Sequence, residues 1–492
     1  MIRSTIDEPR ILDAGRWGLP AEATIALGER LYTVWSRFHL LFKTKTRDSS
    51  PLALVYLRGI LIMETKRNFA NIARRIIDPN DDGQSLQQFM SDSPWSVQPV
   101  FDQIQFEIVQ RPELSGGMLT LDESGDERSG DQSAGAARQY IGRLGKREMG
   151  QVAVGLGYYK DSTWAMVDSE LYLPENWFDN EHAKLRERWH IPAKRIFASK
   201  PEIGLALIRR AKANGLPFSV IGCDSLYGRS HEFRTSLDHE GFLYMADIPD
   251  NMLVYLEKPI VGVPQDPPGK MGRPSTRLQV LSSGQPVQVR SLSDHPDLTL
   301  QPVPVRQTER GLLTYECAAR RVWLVVGGQV HEEWLFMRRE PDGKLSFSLS
   351  NAPADTPLSQ LALWRCQRYF AERTFQDAKS EAGWDELVAR KYRAWQHHTA
   401  LDALALWFVA ETKLDWLQQY PRDPELARQL EVEMLPALSM ANVRELLKAV
   451  LPLRQLSPDE ATGLVVKHLV QRSRSTSSRL NSQRKRDGPI GI

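Results

Sequence analysis

Cysteine is scarce: Cys223, Cys317 and Cys366 are the only three in 492 residues, far apart and without a C-x-x-C pair. That excludes a disulfide scaffold and a cysteine-based zinc site, and it implies a reducing compartment. The ten histidines show no metal-ligand spacing. No apolar run reaches the ~18 residues that span a bilayer. The N-terminus is charged throughout (Arg3, Asp7, Glu8, Arg10), which argues against a secretory signal. A cytoplasmic chain with no membrane contact is expected. An excess of one charge is also missing, with 63 basic against 61 acidic residues. The global balance therefore does not announce nucleic acid, and any DNA-binding surface must be local. No P-loop, Rossmann fingerprint, G-x-S-x-G elbow or internal repeat occurs.

What remains is a chain of ordinary globular composition, 41% hydrophobic and 25% charged, too long for one ordinary core. Residues 1–110 read as helical, with Lys43, Lys45, Arg47, Lys66, Arg67, Arg74 and Arg75 interleaved among helix-period apolar residues. From 111 to 254 the pattern changes to strand, strand, strand, helix, strand, helix, strand, which predicts a mixed α/β sheet. Residues 255–352 are dense in Pro and Gly at first, then alternate as short strands, and read as a β-rich insertion. Helical periodicity resumes over 353–420 and 421–470. The tail 471–492 is Ser-rich and basic with almost no apolar content, and disorder is predicted.

Three acids stand out. GGMLTLDES places Asp122 at the end of an apolar strand, and LPFSVIGCD does the same for Asp224. Carboxylates at neighbouring strand ends can converge on a hard divalent cation, although each also suits a turn or a helix N-cap. In WRCQRYFAERTFQDAK, Arg365, Arg368, Glu372 and Lys379 fall within roughly 60° of arc on a helix at about 100° per residue. Trp364, Ala371, Phe375 and Ala378 form an apolar stripe beside them. The acid is thus flanked by cations at the edge of a buried face, or else it belongs to an i,i+4 surface pair. Gly272-Arg273-Pro274 makes an extended basic segment thin enough for a minor groove, or a linker. Lys146, with Arg138, Arg143 and Arg147, could meet phosphate or simply face water. Tyr369 and Trp334 could stack on unpaired bases, Trp334 equally well filling a strand position.

Taken together, these motifs resemble the bacterial insertion-sequence transposases of the DDE type. The spacing R-x3-E-x6-K of Arg368, Glu372 and Lys379 is that of the insertion-sequence-4 clan, with Arg365 where tyrosine is usual. The phrases LDESGDERSG, ARQYIGRLGKREMGQVAV, CDSLYG, GRPSTR and LPALSMANVRELL are most similar to the insertion-sequence-701 group. The resemblance implies an RNase H-like mixed-sheet catalytic core, a β-rich insertion between the second Asp and the Glu helix, and helical N- and C-terminal regions. It implies catalysis by Asp122, Asp224 and Glu372 around two Mg²⁺ ions (Mn²⁺ as substitute), with Arg365, Arg368, Tyr369, Lys379, Lys146, Arg273 and Trp334 on DNA. The implied activity is cleavage at transposon ends and strand transfer into target DNA. The implied partners are terminal inverted repeats, target duplex and a second copy of the chain in a homodimer. A nuclease that cuts without joining, or a DNA-binding derivative without catalysis, shares most of these features.

Overall fold

The computed structural model describes residues 8–265, 276–282, 284–293, 295–296, 298–309 and 311–487. One ten-stranded sheet organises the chain. Its strands are β1 (Gly117–Glu127), β2 (Ala137–Ile141), β3 (Lys146–Lys160), β4 (Thr163–Tyr172), β5 (Phe218–Cys223), β6 (Tyr244–Ile248), β7 (Gln301–Thr308), β8 (Gly311–Val326), β9 (Gln329–Arg339) and β10 (Leu345–Ser350). Their spatial order is β7-β8-β9-β10-β6-β5-β1-β3-β2, with β4 also on β3. β1, β5 and β6 run parallel, and β3 returns antiparallel to β1. Parallel neighbours need crossovers, which α6 (Lys200–Ala213) and α7 (His231–His239) help to provide. α6 opens on a capping box, Ser199 with Glu202, and has Pro201 in its first turn, where a missing N–H costs nothing.

The expected insertion is not a separate sheet. β10 pairs antiparallel with β6, so β7–β10 extend the edge of the same sheet. Unpaired edge groups on β6 would be costly, and the inserted strands satisfy them.

The N-terminal helices are α1 (Ala21–Phe38), α2 (Ser50–Ile62), α3 (Phe69–Ile76), α4 (Gln84–Asp92) and α5 (Gln98–Val109). They share one continuous apolar core with the sheet. At its centre runs α10 (Tyr392–Gln419), following α8 (Leu358–Gln367) and α9 (Tyr369–Asp377). α10 is buried nearly all round, as an interior helix must be when apolar residues occupy every face. Several of its polar groups are satisfied by the N-terminal region. Trp407 Nε1 donates to Glu107 at 2.6 Å, and Glu411 accepts from Arg37 and Arg111, each at 2.9 Å. Arg67, part of the predicted basic side, is likewise buried, and its guanidinium pairs with Glu386 at 2.7 Å.

Two further differences concern helices. The run 358–382 is not one continuous α-helix: it breaks at Arg368 between α8 and α9, and it widens into a π turn over Ala378–Ala382. The C-terminal segment expected to be disordered is helical as far as it is described. After α11 (Met440–Val450), α12 (Pro458–Asp487) carries Val465, Val466, Leu469, Val470 and Leu480 exposed on its surface. Arg, Lys and Gln are good helix formers even where no core supports them, which composition-based disorder reasoning ignores.

Candidate active site

β1 and β5 bring the first two acids together. In this parallel pair Leu121 lies opposite Cys223, so Asp122 and Asp224 occupy the next step side by side. β1 does not end at Asp122 as expected: pairing with β3 carries it on to Glu127, so Asp122 sits in mid-strand, whereas Asp224 directly follows the last residue of β5. Neighbouring strands lie only about 4.8 Å apart. Asp224 also caps the short helix Ser225–Gly228, its Oδ1 accepting from Leu226 N at 3.0 Å. The capping and site readings of that residue are therefore compatible: one oxygen caps, and the carboxylate still faces the cavity.

The third acid is placed by packing. Asp122 pairs in register with Gly155 on β3. A Cβ on Gly155 would meet the Phe375 ring at 2.5 Å, so the missing side chain is what lets α9 lie on the sheet there. Glu372 precedes Phe375 by three residues and so lies on the same face, one turn earlier. Asp122, Asp224 and Glu372 line one cavity of about 420 Å³, with Arg368, Asp247 and Asp250 in the same wall.

Arg368 ties the acids together. Its Nη1 is 3.7 Å from Asp122 Oδ2, its Nη2 is 3.3 Å from Glu372 Oε1, and its Nε is 3.0 Å from Asp247 Oδ2. Burial opposes its charge, but Asp247, Asp122 and Glu372 outweigh burial and hold the guanidinium above its ordinary range. The anionic groups are not fully compensated. Burial first, then the Asp224 charge, pushes the Asp122 carboxyl up to about 7, with Arg368 opposing. Burial, followed by the charge of Glu123, raises Asp224 as well. Glu123 itself pairs with Lys200.

The donors are all hard oxygens, and the site carries more negative charge than its protein cations neutralise. Both properties fit a divalent cation such as Mg²⁺. Among the described residues no three His, Cys, Asp or Glu side chains stand close enough to hold an ion as arranged. Arg368 intervenes between Asp122 and Glu372. The Glu372 side chain is 59% exposed, which leaves it free to turn inward.

The remaining predicted residues are dispersed. Arg365 is mostly buried and pairs with Asp247 at 2.6 Å and with Glu340 at 3.7 Å, while still lining the cleft that Tyr369 and Glu372 border. Lys379, on the π turn, reaches Asp126 Oδ1 at 2.6 Å and Gly125 O at 3.0 Å. Seven helical residues rise about 10 Å, and the four strand residues from Asp122 to Asp126 about 13 Å. The helical run therefore travels along β1, touching it first near Glu372 and again at Lys379. Tyr369 is half exposed and borders a neighbouring cleft with Arg306, Arg338 and Glu372. Trp334 lines a different cleft, its Nε1 donating to Pro353 O at 3.0 Å. Lys146 is exposed at the start of β3, nine residues from Gly155, and pairs with Glu148 at 3.2 Å. Arg273 lies outside the described residues. Sequence reasoning missed Asp247. The signal was present, since FLYMADIP is an apolar strand ending near an acid, as the strand before Asp224 does.

The comparisons agree with this architecture. The profile of the DDE superfamily endonuclease family matches residues 37–312, more than half of the chain, and the chain belongs to that family. The mixed sheet with helical termini is consistent with the nuclease fold of such proteins. The probable transposase for insertion sequence element IS701 of Microchaete diplosiphon is 32% identical over 206 residues, 41% of this chain and 50% of that relative. The aligned stretch thus spans half the length of the relative. The family match includes Asp122 and Asp224 and ends before Glu372, whose place in the site rests on the packing of α9 against β3. Among the described residues no helix is long and apolar enough to cross a membrane.

Proposed function

We propose that this protein is a DNA transposase that cuts DNA at the ends of a mobile element and joins the freed ends to target DNA, on an RNase H-like core. One observation carries the reading: an aspartate in mid-β1, an aspartate at the end of β5 and a helix-borne glutamate, remote in sequence, line a single cavity with an arginine among them. Asp122, Asp224 and Glu372 would hold Mg²⁺, or Mn²⁺ in its place, as two ions. When bound, such ions supply an activated oxygen nucleophile and stabilise the leaving oxygen of a phosphodiester. Everything else falls to the chain's own side chains. Asp122 and Asp224 are fixed by paired strands, so their carboxylates need little reorganisation. Arg368 neutralises phosphate charge beside the scissile bond, and Lys379 does so farther along β1. Tyr369 presents an exposed ring next to Glu372 for a distorted DNA end. Catalysis of this kind rests on positioning and charge. Double-stranded terminal repeats and target DNA are the partners, bridged by a homodimer. The N-terminal helices, the 255–352 segment and α12 supply salt-sensitive grip.

The test uses the full chain, Mg²⁺ and a plasmid carrying the DNA that flanks its own gene. Cleavage at two inverted ends followed by joined products is expected, and Glu372→Gln should bind the ends without cutting. Ends that are cut but never joined would mark a nuclease. Binding without cutting by the unaltered protein would mark a DNA-binding derivative. Undiminished cutting by Glu372→Gln would refute the site.

A further inference from the structure

We propose that Asp247 is a positioning residue for this reaction, one that keeps Arg368 at the site, and that the inserted strands are what fix Asp247. The inference rests on the transposase reading and goes beyond its three acids.

Asp247 lies on β6, opposite Ser348 of β10 in the antiparallel register. Ser348 Oγ donates to its Oδ1 at 2.8 Å. Arg365 Nε approaches the same oxygen at 2.6 Å, and Arg368 Nε approaches Oδ2 at 3.0 Å. Neither Nε makes an aligned hydrogen bond, so these are close ion pairs held by charge. Behind them, Glu340 near the β9–β10 turn accepts from Ser346 Oγ at 2.6 Å and stands 3.7 Å from Arg365. A continuous chain of contacts therefore runs from the inserted strands through Asp247 to Arg368.

The consequence concerns the loaded enzyme. Arg368 touches three carboxylates: Asp122, Glu372 and Asp247. The first two are wanted by metal. Once they turn to it, Asp247 is the carboxylate of the three that still balances Arg368. Without it, the guanidinium swings away from the phosphate it should meet. A supporting partner of this sort is typically worth about 10–100-fold in activity or metal affinity.

The experiment compares wild type, Asp247→Asn, Arg368→Ala and the double variant. Plasmid cleavage is measured at saturating Mg²⁺ and across a Mg²⁺ titration, and unfolding in urea is measured without metal. Asp247→Asn should lower the cleavage rate by about 10–100-fold, while half-saturating Mg²⁺ rises far less. The double variant should be no slower than Arg368→Ala, because the two residues act as one unit. Penalties that multiply, a wild-type rate in Asp247→Asn, or a shift in half-saturating Mg²⁺ as large as the loss of rate (a direct metal ligand) would each overturn the proposal. If the unaltered protein cuts no DNA, the transposase reading fails. The unfolding data then decide this one separately: additive stabilities of the two single variants would refute it, and non-additive ones would sustain the Asp247–Arg368 link.

Discussion

The raised Asp122 carboxyl makes a prediction about stability that opposes the one about activity. In the metal-free protein Asp122 titrates near 7 instead of 3.8, mainly through burial and then the charge of Asp224. A carboxyl raised on folding favours the protonated native state. Its contribution is therefore fully present below about pH 4 and is lost as pH rises toward 7. About 3 units at ~1.4 kcal/mol each set a ceiling of ~4 kcal/mol for ionised Asp122 at pH 8. The side chain keeps 15% of its surface, so solvent screens part of that cost, while the attraction of Arg368 is already contained in the value of about 7. Asp122→Asn removes the charge at nearly constant shape, and with it the net cost of ionising Asp122. A net stabilisation of about 2 kcal/mol at pH 8 is expected from these terms. The assay is urea unfolding in EDTA at pH 8 and pH 4.5. The variant should be the more stable at pH 8, and the gap should close toward pH 4.5. Mg²⁺ should then reverse the order, because binding to the native state stabilises only a protein that can hold the ion. A variant no more stable than wild type at pH 8 without metal would refute the electrostatic reasoning. A variant stabilised by Mg²⁺ as much as wild type would remove Asp122 from the metal site.

Gly155→Ala puts a methyl 2.5 Å from the Phe375 ring; overpacking should cost about 1–3 kcal/mol and lift α9, so cleavage should fall more than DNA binding, measured side by side. Lys379→Ala leaves Asp126 without its 2.6 Å partner and should destabilise the fold by about 1–3 kcal/mol. If its only effect is on stability, with cleavage unchanged at a temperature where the variant stays folded, Lys379 is a brace and not a DNA contact. Deleting residues 471–492 removes exposed Arg472, Arg474 and Arg479 and should lower affinity for random duplex. The salt slope should shrink by roughly 0.9 for each phosphate that is no longer neutralised, as read by fluorescence anisotropy at several salt concentrations.

The acids were legible because strand ends and helix periodicity leave a local imprint. CDS closes an apolar strand as read, whereas the strand of LDES runs on to Glu127 because β3 pairs with it throughout; the register of β1 with β5 still sets the two acids side by side. Most of the order of strands and helices in 111–254 was likewise readable, since periods of 2 and 3.6 are properties of short windows, but β2 in the basic link was missed. Long-range pairing left no such mark. Nothing in residues 345–350 announces that β10 will lie against β6, so the insertion reads as a separate unit although it continues the sheet. The partners of Arg365 were equally invisible: it lines a cleft with Glu372, as the helical arc suggests. Asp247 and Glu340, contributed from two other segments, draw it inward. The π turn at Ala378–Ala382 shifts the phase again before Lys379 is fully presented, and an arc drawn at constant angle cannot include it.

That continuity of the sheet changes what the inserted strands are for. A separate module could bind DNA and leave the chemistry alone. Strands hydrogen-bonded to β6 cannot, because β6 carries Asp247 one residue from its end and Asp247 carries two arginines. A strand displaced by even a fraction of an ångström at Ser348 moves the carboxylate that balances Arg368. Packed interiors transmit such displacements with little loss. If DNA grips β7–β10 as proposed, the load it places there would have a direct mechanical route to the acids, through paired backbone and a single carboxylate.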